Sequence, residues 1–185
     1  MAKSNEILAL EQKVFNGLAC EWYPVEALED SLSQGLDVNA TFKYEDDEVN
    51  LITACIIANR IECVKALLPY KPDIEKKVGQ LNVKDMTPLM ATVLFNGGNM
   101  TEFLIKAGAK VSPKNADGNT ALDLSWESGN CDLILLLETA LEKEEQQKQG
   151  AFNLRAQKQK ENIQKVLGRK TLKPRRRPTS NGKGA

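Results

Sequence analysis

Histidine, the side chain best suited to acid–base and metal chemistry near neutral pH, is missing from all 185 residues. Its absence removes Ser-His-Asp triads, Cys-His dyads and histidine-ligated metal sites. Four cysteines remain, Cys20, Cys55, Cys63 and Cys131. None forms a C-x-x-C pair and each lies in an apolar helical context. Four buried, reduced thiols are therefore expected rather than a metal or disulfide framework. Carboxylates gather at Glu45, Asp46, Asp47 and Glu48. A calcium loop would alternate its carboxylates around a glycine, and this run does not, so it reads as a solvated or partner-facing acidic loop. The glycines of "NGGN" (96–99) and "NADGN" (115–119) lack the strand–loop–helix context of a phosphate cradle and read as turns. No catalytic residue, cofactor, metal or small-molecule substrate is expected, and the chain reads as a non-enzyme.

Charge is distributed unevenly although it balances overall, with 25 basic and 25 acidic residues. Residues 142–185 hold 13 Lys or Arg against 4 Glu, whereas residues 1–141 hold 12 against 21 Asp or Glu. An acidic body with a basic tail is expected. Neither a signal-peptide core nor an apolar run long enough for a membrane span stands out, so a protein kept in a reducing, cytoplasmic compartment is the expectation. The basic tail leaves nuclear and secreted-effector locations open.

A body without chemistry must act through surfaces, and its elements recur. Thr87-Pro88-Leu89-Met90 opens an apolar run, and Thr120-Ala121-Leu122-Asp123 opens another 33 residues later. Each Thr stands where a helix N-cap is wanted, with Pro88 at a first helical position. Gly35 and Gly108 follow apolar helical runs, where a left-handed cap is wanted. Val64, Leu67 and Leu68, like Phe103, Leu104 and Ile105, recur at helical spacing. Helix pairs of this length cannot bury their apolar faces alone, so neighbours must stack.

The stretches "TPLM", "FLIKAGAKV", "NADGNTALDL" and "SGN" resemble the ankyrin repeat, a helix–turn–helix unit closed by a glycine-containing loop. Asn50-Leu51-Ile52-Thr53 stands at the same signature looser in sequence, and "LSQGLDVNA" (32–40) resembles the end of a first unit. The signature histidine is replaced by Thr53, Met90 and Asp123, and the loops at 42–44 and 78–81 carry extra residues. The resemblance implies an all-α ankyrin-repeat solenoid with units at about 4–41, 42–81, 82–114 and 115–141. A charged helical extension over 142–168, interrupted at Gly150 and stopped at Gly168, and a disordered basic tail over 169–185 complete the expected organisation.

Ankyrin arrays bind partner proteins through loop tips and the first helix of each repeat, which together form a concave face. Carried over position by position, this implies Asp46, Asp47 and Ile57 in unit two, Val83, Met86, Leu94 and Phe95 in unit three, and Asp117, Asn119 and Glu127 in unit four. Those positions are usually polar in a free-standing array. Four apolar residues in unit three, rimmed by acids, therefore suggest a protein-binding patch suited to a basic partner. Coverage of the patch by the short array or its tail stays open. Trp126, where a small residue is usual, is expected to plug the open end against the C-terminal segment. Lys170, Lys173, Arg175, Arg176 and Arg177 mark the tail. An adaptor or effector that binds nucleic acid there, or uses it as a targeting or secretion signal, is the competing reading.

Overall fold

Side-chain caps fix where several of the helices begin. In the computed structural model, which describes residues 5–19, 23–44, 47–80, 83–95 and 97–170, eight α-helices and four short strands follow one another. They are α1 (Asn5–Ala19), α2 (Val25–Ser33), β1 (Thr41–Tyr44), β2 (Asp47–Asn50), α3 (Leu51–Ile57) and α4 (Ile61–Leu67). After a single turn at Leu68–Tyr70 come β3 (Val78–Gln80), β4 (Val83–Met86), α5 (Pro88–Leu94), α6 (Gly98–Lys106), α7 (Ala121–Ser128) and α8 (Cys131–Lys170). Asn50, Thr87 and Thr120 cap α3, α5 and α7, each side-chain oxygen accepting the backbone N–H three residues on, at 2.9, 3.3 and 3.2 Å. Each cap satisfies an N–H that the first helical turn cannot. At the other ends, Gly35 and Gly108 take φ of 98° and 100°, the left-handed geometry expected of them.

The N-capped helices α3, α5 and α7 pack side by side with α1 as an inner row, and α2, α4 and α6 pair with this row from outside. One continuous core runs through the array, from Val14 and Leu18 through Leu51, Leu67, Leu89 and Leu104 to Leu133 and Leu137. Adjacent units are also stitched polar group to polar group. Asn39 Oδ1 accepts the N–H of Asp73 at 2.7 Å, and Glu75 Oε1 accepts that of Lys110 at 2.8 Å. Glu144 Oε2 accepts those of Val111 at 3.0 Å and Ser112 at 3.3 Å.

Three expectations change. The extra residues of the unit-two and unit-three loops are not irregular. They form two antiparallel hairpins, β1–β2 with Phe42 opposite Val49, and β3–β4, and the hairpins touch through β2 and β3. Phe42 and Val49 point into the core, where Phe42 stacks on Phe15 with ring centroids 4.8 Å apart. Second, α8 is one helix of 40 residues running through both Gly150 and Gly168. A glycine costs an exposed helix about 1 kcal/mol, less than the flanking Lys, Gln, Ala and Leu residues sustain. Third, Cys55 and Cys63 are buried as expected, but Cys131 is exposed at the first turn of α8. Cys20 lies outside the described residues.

The chain divides into two units, Met1–Glu144 and Glu145–Ala185. The first is the array. The second is described up to Lys170 and is helical there, with the side chains of residues 145–165 exposed except for a half-buried Ala156.

Candidate protein-interaction site

Three equivalent positions define a row across the inner helices. Seven residues after each N-cap stand Ile57 in α3, Leu94 in α5 and Glu127 in α7. Ile57 is half-buried against the core, Leu94 is 39% exposed and Glu127 is exposed. Phe95, the C-cap of α5, is 36% exposed beside Leu94. The helix that carries them buries every residue from Pro88 to Val93, so Leu94 and Phe95 emerge from a rigid, packed element.

Loop 115–119 sets the rim. Asn115 Oδ1 accepts the N–H groups of Asp117 at 3.0 Å and Asn119 at 2.9 Å, while its own N–H donates to Asn119 O at 2.9 Å. Gly118, at φ 88°, allows the chain to fold back on itself there. The N–H of Ala116 donates to Lys84 O at 3.1 Å, tying the loop to the β3–β4 hairpin. Asp117 is thus held outward and exposed, and Asn119 Nδ2 donates to Glu127 Oε1 at 3.5 Å.

Met86, expected on the exposed patch, is instead fully buried. It immediately precedes the N-cap Thr87, and the last residue of β4 turns inward to close over the helix pair. Val83 and Asp47 lie on strands whose side chains are outside the described residues, as is Asp46 altogether. Lys170 ends α8, and Lys173, Arg175, Arg176 and Arg177 lie outside the described residues. Leu94, Phe95, Ile57, Asp117, Asn119 and Glu127 therefore compose the described part of the candidate site.

Trp126 departs from its expected role as a plug. It is 59% exposed, while α8 directs Leu133 and Leu137 into the core instead. Two buried polar atoms, Thr53 Oγ1 and Asn115 Nδ2, have no hydrogen-bond partner among the described residues. Thr53 stands where the repeat signature ordinarily has histidine, and its hydroxyl stays unused inside α3. Groups of three or more His, Cys, Asp or Glu side chains able to hold a metal ion are absent among the described residues. No helix among them is long and apolar enough to cross a membrane.

Helix pairs whose first members are capped by Asn50, Thr87 and Thr120, stacked on one core and joined by hydrogen-bonded loops, define a repeat protein. A family model for ankyrin repeats, in three copies, matches residues 51–147. The chain belongs to the ankyrin-repeat family, whose repeats generally mediate protein–protein interaction. It is also similar to the nuclear factor NF-kappa-B p105 subunit of Gallus gallus, 31% identical over 99 residues. That alignment covers 52% of this chain and 10% of the relative, so the chain matches about a tenth of that protein's length.

Proposed function

We propose that the chain is a non-enzymatic protein-binding module that seats a partner on the face lined by α3, α5 and α7, the concave face of an ankyrin array. Leu94 and Phe95 are the anchors, Ile57 extends the apolar strip, and Asp117 and Glu127 steer a basic partner. The observation that carries this reading is the emergence of Leu94 and Phe95, exposed, from the end of a helix that is otherwise wholly buried. Burying such a side chain gains about 1.5–3 kcal/mol before ordering costs, so two anchors support a specific complex. The test is capture of partners from native lysate by the intact chain, compared with a Leu94→Asp/Phe95→Asp variant whose helicity is checked by circular dichroism. Loss of a captured protein is expected. Equal capture by the variant would overturn the reading.

A second reading draws on the exposed Lys148, Arg155, Lys158, Lys160 and Lys165 along α8. A basic helix of this kind attracts nucleic acid by phosphate neutralisation and counterion release. Mobility shifts of duplex DNA and of RNA by the full chain, weakening steeply with salt, are the expected signature.

A further inference from the structure

Stacking positions that are buried in the second and third repeats are open in the fourth. Six residues after their N-caps, α3 carries Ile56 and α5 carries Val93, which are 2% and 1% exposed, whereas α7 carries the 59% exposed Trp126. Leu89 and Met90 of α5 are fully buried, and their counterparts in α7 are the half-buried Leu122 and the exposed Asp123. The cause is geometric. α5 covers α3 and α7 covers α5, but among the described residues no further helix pair packs against α7. Residues 122, 123 and 126 lie at i, i+1 and i+4, on one side of a helix. The outer helices show the same change, since Ile105 of α6 packs against the core and the matching residue of α8, Glu138, is exposed.

This face therefore combines the largest exposed aromatic among the array's described residues with carboxylates. Asp123 flanks Trp126 one turn earlier, and Glu127 follows it. Hydrogen bonds from the backbone N–H and hydroxyl of Thr120 hold the Asp123 carboxyl below its ordinary pKa. A terminal repeat normally needs a polar outer face to stay soluble, and an open indole there calls for an occupant. A second copy of this chain fits poorly. Symmetric stacking would set Asp123, Glu127 and Glu138 of both copies against one another. An indole face beside carboxylates suits a guanidinium or ammonium group, which gains from the ring and from the charges together.

We propose that the open end of the fourth repeat, Leu122, Asp123 and Trp126 rimmed by Glu127 and Glu138, docks an Arg- or Lys-bearing segment of a partner protein. This surface shares Glu127 with the site proposed above but includes neither Leu94 nor Phe95.

The test uses the full chain carrying Trp22→Phe, so that Trp126 is the sole tryptophan. It is titrated with a synthetic peptide of alternating Arg and Gly, and with its Glu counterpart. The Arg peptide is expected to change Trp126 fluorescence with an affinity that falls as salt rises. In calorimetry, Trp126→Ala in the natural background should weaken binding roughly tenfold, and Glu127→Gln with Glu138→Gln several-fold. Equal binding of the Glu peptide, or unaltered affinity in Trp126→Ala, would overturn the proposal. So would sedimentation showing a dimer that Trp126→Ala dissociates.

Discussion

The hydroxyls of Thr92 and Thr101 meet at 2.8 Å between α5 and α6, with neither residue exposed. Thr92 also donates to Leu89 O at 2.7 Å, and Thr101 lies 3.0 Å from Gly97 O. The contact is a small polar bridge inside an otherwise apolar helix pair. Thr101→Val should cost about 1–2 kcal/mol, because it strips a partner from a buried hydroxyl. The double change Thr92→Val/Thr101→Val should cost less than the two single changes together, since each single change already removes the one bond the hydroxyls share. Urea unfolding of the four proteins closes the cycle, and strict additivity would show that the two groups do not interact.

Burial pushes the Glu75 carboxyl up, and the N–H of Lys110 that it accepts only partly offsets this. A carboxyl whose folded pKa lies above its unfolded value binds protons more tightly when folded. Its contribution to stability therefore declines as pH rises from the ordinary carboxyl value through the folded one. Glu75→Gln keeps an acceptor for Lys110 and discards the charge. The variant should gain on the natural protein at neutral pH, and the advantage should vanish at pH ~4. Denaturant midpoints at the two pH values decide it, and an advantage that grows on acidification would contradict the assignment.

Thiol reactivity should follow access rather than acidity. The Cys55 thiol lies against Cys63, which holds the Cys63 thiol down to about 7 while Cys55 is driven up. Both side chains are nevertheless sealed in the core, whereas Cys131 is open. Labelling with an aromatic disulfide at neutral pH should lose one fast equivalent in Cys131→Ser. Cys55 and Cys63 should react only as fast as their repeat opens, so mild urea should accelerate them far more than Cys131.

Local chemistry explains which parts of the fold are legible in advance. Thr87, Thr120, Gly35 and Gly108 each act within one turn of chain, so their roles are visible without a partner. The hairpins are not visible in that way. A strand of three or four residues shows no extended alternation, and β2 and β3 find support in each other only once the repeats stack. Met86 illustrates the same gap, because a loop-tip reading places it outside and the closing turn of β4 places it inside. At Gly150 the intrinsic cost of one residue is visible, but not the reserve of helix formers on either side. Leu94 and Phe95 are readable as apolar residues at surface positions. Trp126 is readable as unusual, but its exposure depends on what stacks against α7.

Glu144 gives the array its true last residue. Its carboxylate, carried on α8, receives the N–H groups of Val111 and Ser112, next to the Lys110 N–H that Glu75 accepts. A fragment cut where the core-packed residues of α8 end, after Leu141, would keep every core side chain and still leave two backbone donors without their acceptor. Fragments for crystallisation, display or fusion should therefore extend past Glu144. Graft points belong beyond it, in the second unit.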